Sequence, residues 1–159
     1  MRFRRRQASR LMPDNHVKSH GQRVTEDLKK AGVSRYGLNS MEGHYISNVI
    51  HPDEKICGAV FGHSKDGYAL LVATDSRVIF LDNKPFFINK DEVTYGLVGG
   101  ISCGKVGPFV TVTLHTKLGD FQLRSANYRS VRKFIDFIEH RCLEHKSTPQ
   151  AYKDDFSSP

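Results

Sequence analysis

The sequence has little cysteine and no paired cysteine spacing. Its three cysteines, Cys57, Cys103 and Cys142, are an odd number at unrelated spacings. This excludes a framework of disulfide bonds and indicates a reducing compartment. We therefore expect a cytoplasmic protein.

Long apolar runs are also missing. No stretch approaches the roughly 20 consecutive apolar residues that cross a bilayer. The first ten residues carry the positive charge of a secretory signal, but Pro13 and Asp14 follow Leu11 and Met12 at once, so the apolar part of such a signal is absent. We expect neither a membrane span nor a signal peptide.

Excess positive charge is absent from most of the chain, although the whole sequence has a net charge of +7. Residues 1–23 hold seven arginines and lysines against one aspartate, a net charge of +6, and the remainder carries only +1. Residues 1–22 are poor in aromatic and β-branched side chains, which predicts a disordered basic arm. Its candidate contacts with an anionic surface are Arg2, Arg4, Arg5, Arg6 and Arg10.

The charge of this arm leaves several partners open. Anionic lipid attracts clusters of basic residues, and so do the phosphates of nucleic acid. The alternatives are a solvated tail without a partner, or a start codon that was assigned too early.

The most informative stretch is Tyr68 to Asp82, which reads YALLVATDSRVIFLD. Two apolar runs, each too short for a stable helix, lie on either side of a polar turn at Asp75 and Ser76. Short polar side chains stabilise such turns by bonding the backbone two residues on. The pattern predicts a β-hairpin.

The rest of the chain predicts an α+β protein in which strands come first and one long helix comes last. Val131, Phe134, Ile135, Ile138 and Cys142 form an apolar stripe typical of a helix that packs on a core. The predicted strands are 55–63, 68–74, 77–82, 85–95 with an interruption near 89–91, 97–103, 109–116 and 119–124, and the helix spans 127–145.

Two short helices are predicted before the first strand. One spans residues 24–31 with Thr25 as its N-cap, and the other spans residues 40–50 with Asn39 in a capping arrangement. In the second helix we expect Met41, Tyr45, Ile46 and Val49 to form one apolar face against the sheet.

Several of these positions resemble the bacterial pleckstrin-homology-like domains of the YokE-like group over residues 53–145. The resemblance rests on Glu54 before the first strand, a hydrophobic run that ends in Thr74, Asp75, Ser76 and Arg77, then Phe80, Tyr95, a strand pair and the terminal helix. It implies an antiparallel β-barrel of about seven strands, capped by the C-terminal helix, with short N-terminal helices before it. It also implies a binding or assembly module that is not an enzyme, with an unknown protein partner or self-association through an exposed edge strand.

The expected domain organisation follows from these elements. Residues 1–22 form the arm, 23–52 a helical segment, 53–146 the pleckstrin-homology-like domain and 147–159 a flexible tail.

The resemblance suggests two ligand-binding residues, Lys65 and Arg77. Eukaryotic pleckstrin-homology domains bind phosphoinositides through several basic residues on the first loop and the next strand, whereas Lys65 stands alone here, beside Asp66. One lysine cannot neutralise a multiply charged headgroup, so phosphoinositide binding is not expected. For Arg77 we favour a structural role, an ion pair with Glu54 or Asp82 that fixes the hairpin, over ligand binding.

Other chemistry is poorly supported. Gly99, Gly104 and Lys105 nearly match a phosphate-binding loop, but Val106 replaces the Ser or Thr that binds magnesium, and Pro108 breaks the helix that should follow. No metal site, cofactor or catalytic residue is predicted. An enzyme would be reconsidered if two or more of four side chains met in a cleft: His63, Asp75, Cys103 and His115.

Overall fold

The computed structural model describes residues 17–147, which form four α-helices, two 3-10 turns and seven strands. The helices are α1 (His20–Lys30), α2 (Arg35–Leu38), α3 (Met41–Tyr45) and α4 (Tyr128–Ser147), with 3-10 turns at Ile46–Asn48 and Tyr95–Leu97. The strands are β1 (Ile56–Ser64), β2 (Gly67–Thr74), β3 (Arg77–Asn83), β4 (Ile88–Thr94), β5 (Val98–Val106), β6 (Phe109–Thr116) and β7 (Gly119–Ser125).

All seven strands join one antiparallel sheet in the order β4-β3-β2-β1-β7-β6-β5. The two halves of the sheet meet between β1 and β7, where the register holds a single residue pair, His63 with Arg124. Strands β4 and β5 are the two edges. The predicted pleckstrin-homology-like fold, an antiparallel seven-stranded sheet with a C-terminal helix and short N-terminal helices, is confirmed.

The predicted hairpin forms strands β2 and β3, and both of its faces are buried. Leu71 and Phe80 are cross-strand partners on one face, whereas Val72 and Ile79 are partners on the other. The backbone N–H of Asp75 donates to the carbonyl of Lys55, which ties the turn to the residue before β1. Burial on both faces explains why the two strands are nearly continuous in apolar residues.

Helix α4 covers the first of these faces. Val131, Phe134 and Ile138 from the predicted stripe are at most 1% exposed, and Ile135 and Cys142 pack at its border. The helix approaches β1 closely at Gly58, where an added Cβ would come within 3.2 Å of the Cα of Phe134. Asn127 caps the helix, because its Oδ1 accepts from the N–H of Ser130 at 3.3 Å.

The N-terminal helices cover the opposite face of β1 to β3. Val24 and Leu28 of α1, with Ile46 and Ile50, are at most 4% exposed and pack on this face. Asn127 donates from its Nδ2 to the carbonyl of Gly32 at 2.6 Å, which links this segment to the start of α4. The N-terminal segment is therefore part of the same packed unit.

The predicted cap of α1 was wrong. The helix begins at His20, because Ser19 accepts from the N–H of Gln22 and the Gln22 side chain accepts from the N–H of Ser19. Thr25 lies inside the helix and donates to the carbonyl of Gly21. Residues 20–22, assigned to the arm from the sequence, form the first turn of α1, and the remainder of the predicted arm up to residue 16 lies outside the described residues.

The prediction for residues 40–50 also needs correction. Ser40, not Asn39, caps α3, and the helix becomes a 3-10 turn at Ile46. Met41, expected on the apolar face, is 64% exposed, whereas its neighbour Glu42 is buried. The sequence also gave no indication of α2, which Ser34 caps.

Two strand boundaries differ from the predictions. Strand β4 is continuous over Ile88–Thr94, without the predicted interruption, because residues 89–91 pair in register with β3. Strand β5 extends to Val106 along β6. The helix that a phosphate-binding loop would require is therefore absent at Lys105, where the backbone continues as a strand.

Candidate ligand-binding cleft

Arg77, one of the two predicted ligand-binding residues, lies in a dense polar cluster at the start of β3. Its Nε donates to Oε1 of Glu54 at 2.9 Å, and its Nη2 donates to Oε2 at 3.0 Å. The same Nη2 donates to the carbonyl of Val49, and Nη1 lies 2.7 Å from Oε2 of Glu92. These contacts favour the structural alternative for Arg77, the ion pair with Glu54.

The surroundings of Glu54 hold its carboxylate in the charged form. Burial alone would raise its pKa, but hydrogen bonds from Arg77, Thr74 and the N–H of His51 outweigh burial and lower the pKa to about 2. The pKa of Arg77 is raised in turn, chiefly by its hydrogen bond to Glu54. Both partners therefore stay ionised at neutral pH.

A cavity of about 730 Å³ lies elsewhere, between the tip of the β1–β2 hairpin and strand β7. It opens where the pairing of β1 with β7 stops at His63 and Arg124. Phe80 and Phe121, with ring centroids 5.3 Å apart, contribute its apolar surface. The remaining lining residues are polar or charged: His63, Ser64, Lys65, Asp66, Asp82, Thr111, Thr113, Asp120, Gln122 and Arg124.

Charges of both signs surround this cleft. The ammonium group of Lys84 lies 2.8 Å from Oδ2 of Asp82 and also contacts Asp66. The hydrogen bonds to Asp66 and Asp82 raise the pKa of Lys84 to about 12, and the same lysine lowers the pKa of Asp66. Lys84 thus forms ion pairs with two carboxylates of the lining. The lysine and arginine side chains that line the cleft themselves are Lys65 and Arg124.

Arg124 is held in place by an aromatic ring. Its guanidinium carbon lies 5.1 Å from the ring centroid of Phe109, a distance typical of a cation–π contact. Thr113 and Gln122 are cross-strand partners, and Nε2 of Gln122 donates to Oγ1 of Thr113 at 3.4 Å. The β7 side of the cleft therefore presents ordered polar groups.

Lys65 lines the cleft, whereas Arg77 does not, so the two predicted ligand-binding residues are not brought together. Arg2, Arg4, Arg5, Arg6 and Arg10 lie outside the described residues. Sequence reasoning missed Asp82 and Arg124, because they reach the cleft only through pairings between distant parts of the chain. The one local indication of the cleft in the sequence was that Phe80 and Asp82, two residues apart on β3, lie on the same face of that strand.

Of the four side chains whose convergence would indicate an enzyme, His63 alone lines the cleft. A polar row crosses β5, β6 and β7 and reaches the cleft at Asp120: Oγ of Ser102 lies 2.9 Å from Nε2 of His115, and Nδ1 of His115 lies 3.1 Å from Oδ1 of Asp120. These are the atoms used by a serine hydrolase triad. Ser102 and Asp120 are exposed and His115 is 45% exposed on the sheet surface.

Within the described residues, no helix has the length and the apolar character needed to cross a membrane. The same residues contain no cluster of three or more His, Cys, Asp or Glu side chains that could hold a metal ion.

Comparisons with known proteins give one family. No curated protein matches the sequence. Among solved structures, the crystal structure of a DUF1696 family protein with a pleckstrin-homology domain, from Shewanella loihica PV-4, is similar with a TM-score of 0.45 and 13% identity, over 69% of this chain and 98% of that one. The model of the bacterial PH domain matches residues 50–140, more than half of the sequence, and the chain therefore belongs to the bacterial PH domain family.

Proposed function

We propose that the chain is a cytoplasmic, non-enzymatic binding module of the YokE-like group, and that its cleft holds an extended segment of polypeptide. The observation that carries this proposal is the incomplete pairing of β7. Beyond the pair of His63 with Arg124, the side of β7 that faces the cleft has no strand partner among the described residues. An extended peptide is the ligand that completes such a backbone by strand addition.

The side chains of the cleft suit the same ligand. Phe80 and Phe121 offer an apolar contact, while Thr111, Thr113 and Gln122 offer hydrogen-bonding groups beside the open backbone. A polyphosphate ligand fits poorly, because the three aspartates of the lining balance Lys65, Arg124 and the neighbouring Lys84. A cleft without excess positive charge does not neutralise a multiply charged anion.

A selection from a library of displayed peptides tests this proposal. The full chain is the bait, and recovered peptides are measured against the cleft variants Gln122→Arg and Lys65→Ala. The matched control is Lys117→Ala, an exposed lysine in the β6–β7 turn outside the cleft lining. We expect Gln122→Arg to weaken binding and Lys117→Ala to leave it unchanged. Peptides that bind both variants and the control equally would overturn the cleft assignment.

The basic arm extends the proposal to an anionic surface, with nucleic acid as the alternative partner. A full-length variant with Arg2, Arg4, Arg5, Arg6 and Arg10 replaced by Ser is compared with the natural chain on anionic vesicles and on duplex DNA. Binding to vesicles that is lost in the variant supports a membrane-peripheral role. Binding to DNA alone, with a steep dependence on salt, supports the alternative.

Two further measurements address the remaining parts of the proposal. Covalent labelling of Ser102 by a fluorophosphonate probe, lost in His115→Ala, would overturn the non-enzymatic assignment. Self-association through the edge strands β4 or β5 is the second way in which the module could assemble. Sedimentation at high protein concentration tests it, because a monomer at every concentration would exclude such assembly.

A further inference from the structure

An exposed apolar patch lies beside the β3–β4 turn. It consists of Tyr36, Met41, Tyr68, Phe86 and Phe87, and we refer to it as the phenylalanine patch. Phe86 is 98% exposed, and Tyr36, Met41 and Phe87 are 63–64% exposed. Tyr68 connects the two sides, since its ring lies 5.6 Å from that of Tyr36 and it shares a 440 Å³ concavity with Met41, Phe86 and Phe87.

The β3–β4 turn is a closed, restricted structure, so it holds both phenylalanines in exposed positions. The N–H of Lys84 donates to the carbonyl of Phe87 at 2.9 Å, which closes the turn, and Pro85 restricts the backbone before Phe86. Single exposed apolar residues are ordinary on protein surfaces, but a contiguous group of aromatic side chains and a methionine indicates a contact surface.

The charges around the patch favour an anionic partner. The carboxylates of Asp66 and Asp82 both contact Lys84. Arg35 and Lys65, next in sequence to Tyr36 and Asp66, are exposed, and neither has a carboxylate partner among the described residues. An anionic lipid bilayer offers both negative charge and an apolar interior for the rings, whereas nucleic acid offers its phosphates without that interior.

The basic arm leaves the domain on the same helical segment. Nε2 of His20, at the start of α1, lies 3.0 Å from the carbonyl of Ser47, in the 3-10 turn that follows α3 with its Met41. The arm therefore joins the domain at the helix that packs beside the segment with Met41.

We propose that Phe86 and Phe87 insert into the interfacial region of an anionic lipid bilayer while the basic arm holds the protein at its headgroups. This inference rests on the proposed association with an anionic surface, and it identifies that surface as lipid and the inserting residues as the phenylalanine patch. Insertion of aromatic side chains combined with basic charge is the two-signal arrangement that gives stable peripheral binding.

The chain contains no tryptophan, so one substitution supplies a fluorescent reporter at a chosen position. Phe86→Trp is mixed with vesicles of phosphatidylcholine, with and without phosphatidylglycerol. Leu118→Trp, at a residue that is 66% exposed in the β6–β7 turn, is the matched control. We expect the emission of Phe86→Trp to move to shorter wavelength with the anionic vesicles, and that of Leu118→Trp to stay in place.

Vesicle sedimentation separates insertion from attraction by the arm. The double substitution Phe86→Ser and Phe87→Ser should weaken binding to anionic vesicles by about tenfold or more, because it removes the apolar side chains that enter the bilayer. Leu118→Ser should bind like the natural chain. If the double variant binds fully while the variant lacking the five arm arginines does not, insertion is wrong but association through the arm stands.

The reverse result also discriminates. If the double phenylalanine variant loses binding to anionic vesicles while the arm variant binds fully, insertion is supported. The arm is then removed from the proposed function. No binding of the natural chain to either vesicle would overturn both.

Discussion

Glu54 and Arg77 lie side by side, with Nε of the arginine 2.9 Å from Oε1 and Nη2 3.0 Å from Oε2 of the carboxylate. Their side chains are 3% and 15% exposed. Glu54 precedes β1 and Arg77 opens β3, so the pair, 23 residues apart in sequence, joins the starts of two strands of the sheet. Thr74, at the end of β2, donates to the same carboxylate at 2.7 Å.

Removal of the Glu54 charge should strongly destabilise the fold. Glu54→Gln leaves the guanidinium of Arg77 buried with fewer acceptors, and a broken buried pair typically costs about 3–5 kcal/mol in the free energy of unfolding. The exposed pair of Lys18 with Glu26 supplies the control, since solvent screens this pair and Glu26→Gln should change the free energy of unfolding far less. Equal losses in urea denaturation would contradict a structural role for Glu54.

The same carboxylate predicts a loss of stability in acid. The pKa of Glu54 is lowered from 4.5 to about 2 in the folded state, so its contribution is complete above about pH 4.5 and is lost as the pH falls toward 2. The contribution amounts to about 3 kcal/mol. The free energy of unfolding of the natural chain, measured across this pH range, should fall by that amount. A Glu54→Gln chain should lack this part of the pH dependence.

Gly62 should be the least replaceable residue at the junction of the two halves of the sheet. A Cβ at this position would overlap the carbonyl of Arg124, so Gly62→Ala must push β1 away from β7. We expect a loss of about 2 kcal/mol or more in thermal or chemical unfolding. At Gly100 a Cβ meets nothing within 4 Å. Gly100→Ala should therefore change stability by only about 0.5 kcal/mol.

The N-terminal helices should be required for folding. Leu28 is 1% exposed against the sheet, and Leu28→Ala should cost about 2–5 kcal/mol in the free energy of unfolding. Val17→Ala, at a residue that is 94% exposed, is the control. A chain reduced to residues 53–146 should fail to fold, because it exposes the sheet face that α1 covers. A cooperative thermal transition in that shortened chain would show the face to be dispensable.

Glu42 should lower the stability of the protein. Its side chain is 1% exposed, and Oε1 has no hydrogen-bond partner among the described residues. Replacement by leucine, of similar size, removes the cost of burying this group and should raise the free energy of unfolding by about 1–3 kcal/mol. Glu42→Asp keeps the buried carboxyl group and leaves a gap in the packing, so it should be less stable than the natural chain. A Glu42→Leu chain that unfolds earlier would reveal a partner for this carboxylate.

The three cysteines should react with a thiol reagent at different rates. Cys103 is exposed on β5, whereas Cys57 and Cys142 are partly buried and burial raises the pKa of both thiols. Thiolate is the reactive form, so one thiol should react fast and two slowly. Cys103→Ser should remove the fast phase. A fast phase that persists would place the reactive thiol at Cys57 or Cys142.

The parts of the fold that depend on local patterns were predictable. The hairpin over residues 68–82 follows from apolar runs and a polar turn, and α4 follows from one apolar stripe. The cap at Ser19 was also available, since Ser19 and Gln22 have the spacing of a capping box. It was missed because Thr25, a second residue of capping type, stands closer to the apolar residues of the helix.

The candidate cleft was not predictable in the same way. His63, Asp82 and Arg124 are distant in sequence and meet only because β1 pairs with β7 at one position. The pair of Glu54 with Arg77 was expected as an alternative, since both lie near the hairpin turn. The burial of Glu42 was not, because Glu42 lies outside the apolar spacing of Met41, Tyr45, Ile46 and Val49 from which the buried face was predicted.

The double burial of β2 bears on how the strands find their alignment. If the register of β2 shifted by one residue, Leu71 and Ala73 would take the places of Leu70 and Val72 on one face of the sheet. All four residues are apolar, so the hydrophobic pattern disfavours the shifted register only weakly. The hydrogen bonds of Thr74 and Arg77 with Glu54 form in a single alignment. This polar cluster therefore specifies the register of the two strands. Chains without it should form hairpins of shifted register, and these should aggregate during refolding.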